Sequence, residues 1–173
     1  MYSWGAGESG QLGTGRSTRK ELPSKFAIPG EDDNTRFTDV ACGYGHGIAT
    51  SEDGRLVSWG LNHRGQLGCG DNTKRFVPVV TSDLNIKKVF AFEHSSAAIN
   101  NSGQLLTWGN NDNLRLMQTD AANFNQTHFT SPVLVSDSVL DGLEIHSFAF
   151  SMGTSALFVP STLTSVIYIN IHI

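Results

Sequence analysis

The first residues of the chain contain a glycine pattern that could bind a dinucleotide. The segment Gly5–Gly10 reads Gly-Ala-Gly-Glu-Ser-Gly and fits the fingerprint GxGxxG, with acidic residues further on at Glu31 and Asp32. This fingerprint binds a pyrophosphate only when a helix begins there and directs its N-terminus at the phosphates. Residues 11–15 read Gln-Leu-Gly-Thr-Gly, a poor helix, and the related segment 60–65 lacks the middle glycine. We therefore interpret the match as accidental and predict no cofactor.

Histidine, cysteine and serine could supply metal binding or nucleophilic catalysis, but their spacing favours neither. The histidines at positions 46, 63, 94, 128, 146 and 172 include no pair at helical ligand spacing, and Cys42 and Cys69 complete no zinc pattern. No nucleophile elbow accompanies the serine, histidine and acidic residues. We expect His46 to form a hydrogen bond within its own blade rather than to act as an acid or base. The sequence therefore predicts no metal site and no catalytic residue.

A stronger signal is a repeat that places all three tryptophans at one equivalent position. Ser-Trp-Gly occurs at Trp4 and, 55 residues later, at Trp59, and a worn copy, Thr-Trp-Gly, follows after 49 residues at Trp108. Gly-Gln-Leu-Gly follows the first two copies after a fixed gap. The signature residues of the repeat are Trp4, Gly5, Gly10, Leu12, Gly13, His46, Trp59, Gly60, Gly65, Leu67, Gly68, Trp108 and Gly109. A period near 50 residues indicates stacked supersecondary units.

Within one period the sequence predicts four short strands. In the second copy the strands are 56–59, 78–80, 86–91 and 96–99, and a polar glycine-rich loop covers 60–72. The dipeptides at 53–54 and 102–103, Asp-Gly and Ser-Gly, predict tight hairpin turns. Four short strands with one aromatic residue at a fixed place are typical of a β-propeller blade. We expect the tryptophans to pack between neighbouring blades, and Leu12 and Leu67 to lie beneath their loops.

The order of these motifs resembles the repeat of the regulator of chromosome condensation family. The resemblance is carried by Trp-Gly, Gly-Gln-Leu-Gly, Ala-Cys-Gly-x-x-His and Glu-Asp-Gly-Arg-Leu-Val-Ser-Trp-Gly, and in the third copy only by 108–109, Leu116 and 148–157. It implies an all-β fold, an incomplete β-propeller of about three four-stranded antiparallel blades. Such a chain would not close a ring on its own, because closed propellers have about 4 to 8 blades.

The resemblance also sets the expected domain organisation. Repeat units are predicted over about 2–56, 57–105 and 106–159, and we interpret the chain as a fragment or a truncated member of the family. Residues 160–173 depart from the repeat and form an uncharged, apolar tail that could act as an edge strand.

Composition limits the possible partners. The net charge is −4 and only 16% of the residues are charged, so no wide basic surface is available and nucleic acid is not predicted as a partner. No apolar run approaches the roughly 20 residues of a membrane span, and the first residues do not resemble a secretory signal, so we expect an intracellular location, cytoplasmic or nuclear. The candidate charged contacts to a protein partner are Glu31, Asp32, Asp33, Arg64, Lys74 and Arg75.

Three functional hypotheses follow. The first is a non-catalytic interaction module that contacts a protein partner through loops over 5–15, 30–36, 60–72 and 110–131. The second is implied by the resemblance alone, because the founding member of the family is a nucleotide exchange factor for a small GTPase. The third is a truncated product without activity, whose open blade faces would lead to self-association.

Overall fold

The computed structural model describes residues 1–30, 35–118, 125–140, 145–151 and 155–158, and these residues are almost entirely β-structure. In chain order the strands are β1 Tyr2–Gly5, β2 Lys20–Lys25, β3 Phe37–Cys42, β4 His46–Ser51, β5 Leu56–Gly60, β6 Arg75–Ser82, β7 Ile86–Phe92, β8 Ser95–Asn100, β9 Leu105–Asn110, β10 His128–Leu134, β11 Ser147–Phe150 and β12 Ser155–Phe158. One turn of 3-10 helix covers Asp112–Leu114 and one short helix, α1, covers Asp137–Leu140. The predicted all-β fold is confirmed.

The strands form two complete blades and two half blades. Blade 2 has the order β3-β4-β5-β6 and blade 3 the order β7-β8-β9-β10, and all neighbouring strands are antiparallel. Half blade 1 is the pair β1-β2, and half blade 4 is the pair β11-β12. Among the described residues the sheets do not close a ring, so the incomplete propeller that the sequence predicts is confirmed.

The sheets are out of phase with the sequence repeat. Each complete blade takes its first two strands from the end of one repeat unit and its last two, beginning with the Trp-Gly strand, from the next unit. The predicted unit 57–105 therefore contributes to two blades. Sequence similarity fixes the period of a repeat but leaves open where a sheet starts within it.

The local elements follow the turn and proline rules. The predicted hairpin turns are present, with a positive φ at Gly54 (+81°) and Gly103 (+77°), as tight turns between strands require. Pro78 and Pro132 lie in β6 and β10, which are edge strands of their sheets. A proline has no backbone N–H to donate, so an edge strand accommodates it without the loss of a ladder hydrogen bond.

The core lies in the seams between successive sheets. One cluster joins Ile48 and Leu56 of blade 2 to the facing side chains of blade 3, which include Trp108. The opposite face of blade 2, with Val57 and Trp59, packs on residues that follow half blade 1. A third cluster joins blade 3 to half blade 4 and α1. The central strands β4 and β5 thus alternate their apolar side chains between two seams, as the period of two along a strand requires.

The helices of the described residues are short. None of them is long and apolar enough to cross a membrane.

Candidate functional site

Antiparallel pairing collects the long loops at one end of the blades. The pairing of β5 with β4 and β6 places the loop after β5 at the end opposite to the turn at 52–55. We call this end the loop rim; its described residues are the loops 6–19 and 61–74, residues 111–118 and 125–127, and the turns 43–45 and 93–94. The predicted contact loop 30–36 falls between β2 and β3 in the chain, and β2 ends and β3 begins at the opposite end of the blades. Its acidic residues, Glu31, Asp32 and Asp33, lie outside the described residues.

A side-chain hydroxyl fastens each loop to the strand that precedes it. The three equivalent bonds are Ser3 Oγ to the Leu12 carbonyl (2.6 Å), Ser58 Oγ to the Leu67 carbonyl (2.9 Å) and Thr107 Oγ1 to the Leu116 carbonyl (2.7 Å). The leucine side chains of these loops are buried, with exposed fractions of 3% or less. The hydroxyl before Trp and the leucine of Gly-Gln-Leu-Gly therefore form one anchor.

Asparagine side chains brace the second and third loops from inside. Asn62 is fully buried, accepts a bond from the backbone N–H of Leu67 (2.9 Å) and donates to the carbonyl of Asp71 (2.8 Å). Asn111 has the same position in the third loop, whereas Gly7 has it in the first. Gly5 ends β1 and residues 6–10 are coil and turns, so the glycine pattern does not lead into a helix N-terminus.

Each buried tryptophan fastens its blade to the loop of the preceding one. Trp59 Nε1 donates to the carbonyl of Gln11, and Trp108 Nε1 donates to the carbonyl of Gln66, both at 2.9 Å. The two indoles are 3% and 0% exposed. Trp4 differs from the expectation of three equivalent seams, since it is 62% exposed. Among the described residues no sheet precedes β1, so this indole has no loop to pack against.

His46 connects two blades, which corrects the expectation of a bond within its own blade. Its Nε2 lies 2.9 Å from Ser96 Oγ, and Ser96 belongs to β8 of blade 3. The hydroxyl of Ser96 donates to the carbonyl of Gln66 (2.8 Å), which also accepts the hydrogen bond from Trp108 Nε1. The sequence could not show this bond, because its partner lies 50 residues away in another repeat unit.

The surroundings of His46 define its protonation. Ser96 Oγ has one proton, which it donates to the carbonyl of Gln66. The hydrogen bond between His46 and Ser96 therefore requires His46 to carry a proton on Nε2 and to donate it to Ser96 Oγ. Burial lowers the pKa of His46 from 6.5 to about 3, and the nearby charge of His94 adds to this effect. The imidazole is therefore neutral near pH 7 and acts as a structural donor rather than as an acid or base.

Three ring side chains meet at the loop rim, and sequence analysis missed them. Tyr44 and His94 make an edge contact with their ring centroids 5.6 Å apart, and His63 and His94 make another at 4.5 Å. Tyr44 is 79% exposed. Partial burial lowers the pKa of His94, and mutual repulsion with His63 lowers it further; the pKa of His63 is also lowered, first by burial. We call these three residues the rim cluster.

No repeated sequence pattern predicts the rim cluster. Tyr44 and His94 lie in the β3–β4 and β7–β8 turns, where the repeat copies stop agreeing, and His63 lies in the loop after β5. Positions where packing does not dictate the residue are free to differ between copies. Only the fold brings the three segments together.

The charged candidates of the loop rim have different surroundings. The Arg75 guanidinium forms an ion pair with Asp71 (2.7 Å) and thereby braces its own loop. Lys74 is exposed and lies 4.9 Å from the ring centroid of Phe76. Arg64 is half-buried, and its backbone N–H donates to the Gln66 side chain (2.8 Å), which places Arg64 beside the rim cluster.

The geometry is that of a β-propeller segment, in which stacked four-stranded blades present braced loops at one rim. Matches to the regulator of chromosome condensation (RCC1) repeat cover residues 1–50 and 53–99, more than half of the chain, and a second model of this repeat matches 37–66. The chain therefore belongs to the RCC1-repeat family, and the predicted resemblance is confirmed.

Individual relatives agree with this assignment. The ultraviolet-B receptor UVR8 of Arabidopsis thaliana is 39% identical over 114 residues, which cover 63% of this chain and 25% of the receptor. The human X-linked retinitis pigmentosa GTPase regulator is 34% identical over 116 residues, or 64% of this chain and 11% of the regulator. The crystal structure of Prp20p from Saccharomyces cerevisiae superposes with a TM-score of 0.74 at 20% identity, and covers 85% of this chain and 36% of Prp20p. The chain thus spans at most about a quarter of the curated relatives named here and about a third of the solved one.

Proposed function

We propose that the chain is a non-catalytic protein-binding module that contacts its partner through the loop rim. The observation that carries this proposal is the rim cluster, in which Tyr44, His63 and His94 are held edge to edge by three separate segments. Exposed aromatic side chains supported by arginine are enriched where protein interfaces gain most of their energy. Arg64 and the Arg115–Glu93 ion pair (2.8 Å) flank the cluster.

Preorganisation supports the same proposal. The loops under the rim cluster are fixed by the hydroxyl, asparagine and tryptophan bonds described above. Binding of a partner there would immobilise few additional side chains or loops. A small loss of conformational entropy on binding favours affinity. Propellers commonly use loops on a rigid frame in this way.

The test is site-specific photocrosslinking in the full chain. A photoreactive phenylalanine replaces Tyr44 at the loop rim, and in a matched chain it replaces Leu84, which is 38% exposed in the connection at the opposite end. We expect a protein adduct at position 44 that is absent at position 84. We also expect His63→Ala to weaken binding of the captured protein about tenfold. Equal adducts at both positions, or unchanged affinity after His63→Ala, would contradict the proposal.

A second candidate is nucleotide exchange on a small GTPase. The names of two relatives favour it: one is a GTPase regulator, and the Prp20p structure was described with the binding properties of Prp20p to Gsp1p and histones. An exchange factor needs no cofactor, because it binds the nucleotide-free GTPase more tightly than the loaded one. The assay is release of a fluorescent guanine nucleotide from a loaded GTPase. A release rate that the chain leaves unchanged argues against exchange without affecting the binding proposal.

The compartment remains a prediction. The intracellular location expected from the sequence, cytoplasmic or nuclear, can be checked by imaging the tagged chain in cells.

A further inference from the structure

We propose that His94 is a pH-sensitive switch of the loop rim: when its imidazole is protonated, the ring leaves Gln66 and the rim cluster comes apart. The inference rests on the function proposed above in one respect only, because it implies that binding at the loop rim weakens as the pH falls. The separation of the rings can be measured on the free chain.

One residue holds the rim cluster together. Both ring contacts of the cluster include His94, whose centroid lies 5.6 Å from that of Tyr44 and 4.5 Å from that of His63. Within the described part of the chain, no ring contact joins Tyr44 to His63 directly. The cluster therefore persists only while His94 stays in place.

A buried amide binds His94 in its neutral form. Gln66 is fully buried, and its Nε2, which can only donate, lies 3.3 Å from Nδ1 of His94. Nδ1 must therefore accept this bond, so the neutral imidazole carries its proton on Nε2. The orientation of the amide is fixed at its other end, where Oε1 accepts the backbone N–H of Arg64 (2.8 Å).

A protonated His94 cannot keep this bond. Both nitrogens of an imidazolium are donors, so Nδ1–H would point at the NH2 group of Gln66. If the amide turned over, Oε1 would accept from Nδ1, but the NH2 group would then face the backbone N–H of Arg64. Either orientation leaves one N–H without its acceptor, and an unsatisfied donor at a buried position is costly.

The charges around His94 also oppose its protonation. Among the described residues, the titratable and charged groups that face it are Tyr44 and His46 of blade 2, His63 and Arg64 of the second loop, the adjacent Glu93, and Arg115 of the third loop. Arg115 Nη1 already binds the carboxylate of Glu93 (2.8 Å). Burial and the charge of His63, with smaller effects of the two arginines, hold the pKa of His94 below 6.5, and Glu93 opposes this effect. A ring turned towards solvent regains its ordinary pKa, so protons favour the displaced ring as the pH falls below 6.5.

The first loop shows that the second loop does not need this histidine. Gln11 has the position of Gln66, and its Oε1 accepts the backbone N–H of Ser9 (2.8 Å). The residue that corresponds to His94 is Gly45, whose carbonyl, like that of His94, accepts the first backbone N–H after a Trp-Gly motif (2.8 Å in both). The seam bonds of Gln66 use its backbone carbonyl and not its amide. Displacement of His94 should therefore disperse the rim cluster and leave the second loop and the seam intact.

The first test is NMR spectroscopy of the full chain at pH 7 and pH 5, on either side of the ordinary pKa of histidine. At pH 7 we expect nuclear Overhauser effects between the ring protons of His94 and His63. At pH 5 these effects should be lost, while the backbone amide shifts of β5 stay unchanged. Effects that persist at pH 5, a His94 ring that does not titrate, or a loss that occurs only together with unfolding of β5 would each overturn the proposal.

The second test changes the group that His94 meets. Gln66→Glu supplies a carboxylate that can accept from both the Arg64 backbone N–H and the protonated Nδ1 of His94. The pKa of His94 should then rise above 6.5, and the ring effects should persist at pH 5. Gln11→Glu, in the first loop without a facing histidine, is the matched control and should leave the loss of the ring effects unchanged. If the two variants behave alike, the bond between Gln66 and His94 does not control the cluster.

A third variant avoids a buried charge. His94→Asn keeps an acceptor for Gln66 but cannot be protonated in this pH range. The ring-proton shifts of Tyr44 should change between pH 7 and pH 5 in the unaltered chain and stay constant in His94→Asn. An equal change in both chains would overturn the proposal.

Partner binding is a separate readout. The protein captured by photocrosslinking should bind more weakly at pH 5 than at pH 7, and Gln66→Glu should reduce this difference. Equal affinities at the two pH values would overturn the switch and leave the proposed function standing. Absence of an adduct at position 44 would refute the proposed function alone, because the ring contacts are measured without a partner.

Discussion

The indole nitrogen of Trp108 donates a hydrogen bond of 2.9 Å to the backbone carbonyl of Gln66, 42 residues earlier in the chain. Trp108 belongs to the Trp-Gly motif of the third copy, whereas Gln66 belongs to the Gly-Gln-Leu-Gly motif of the second copy. The same relation joins Trp59 to Gln11. The repeat therefore joins neighbouring blades, because the Trp of one copy and the Gly-Gln-Leu-Gly of the preceding copy form each seam together.

We expect Trp59→Ala to lower the free energy of unfolding by about 3 to 5 kcal/mol, the usual range for a buried aromatic residue. Trp59 is 3% exposed and packs on Phe26 with a centroid distance of 5.2 Å, so the substitution empties a seam and removes the bond to Gln11. Urea denaturation followed by circular dichroism measures the change. Trp59→Phe serves as the control, since it keeps most of the apolar area and should cost less. A loss below about 1 kcal/mol for Trp59→Ala would contradict the seam as a main source of stability.

Gly65→Ala should destabilise more than Gly30→Ala, although both glycines have positive φ (+74° and +85°). A Cβ at Gly65 would lie 2.6 Å from the backbone of Phe129 and Thr130, whereas a Cβ at Gly30 meets no atom within 4 Å. Backbone strain alone costs about 1 to 2 kcal/mol at such positions. The loss of stability in Gly30→Ala therefore measures this strain, and the additional loss in Gly65→Ala measures the steric clash of the new Cβ with β10. Equal costs in urea denaturation would show that the loop and β10 separate easily.

Asn62→Ala should loosen the second loop without disturbing the sheets. The buried Asn62 side chain holds the N–H of Leu67 and the carbonyl of Asp71, and its removal leaves both groups without that partner, at a cost of about 1 to 3 kcal/mol. Hydrogen exchange by mass spectrometry should show faster exchange in peptides over 61–74 and unchanged exchange in β8. Asn101→Ala, an exposed residue in the hairpin turn at the opposite end, is the matched control and should not change exchange in 61–74.

The parts of the structure that could be predicted are those whose sequence motifs occur in more than one copy of the repeat. Trp-Gly and Gly-Gln-Leu-Gly recur because each seam needs the same indole and the same buried leucine, so strands, turns and loops follow from the sequence. Trp4 shows the limit, since its type follows the repeat but its burial depends on the sheet that precedes it.

The candidate site was less predictable than the fold. The partner of His46 lies in the next blade, and the rim cluster joins segments that are separated in sequence and differ between copies. Such contacts depend on how blades stack, and no local pattern encodes them. The charged residues that the sequence offered as contacts include Arg75, which instead braces its own loop.

The last prediction concerns pH and rests on the neutral, buried His46. Its pKa is lowered from 6.5 to about 3 in the folded chain, so between these values the unfolded chain binds a proton that the folded chain does not. The unfolded state then binds more protons, and the free energy of unfolding falls as the pH falls through this window. From pH 7 to pH 5 we expect a loss of about 2 kcal/mol from this group.

The same measurement on His46→Gln separates this residue from the other titrating groups. The variant is less stable at pH 7, because it loses the bond to Ser96, but its stability should fall less steeply between pH 7 and pH 5. His63→Gln is the matched control: burial also lowers the pKa of His63, but this side chain is exposed, so its removal should flatten the slope less. If the His46→Gln slope equals that of the unaltered chain, the histidine does not titrate with folding and the buried bond between the blades is not formed in solution.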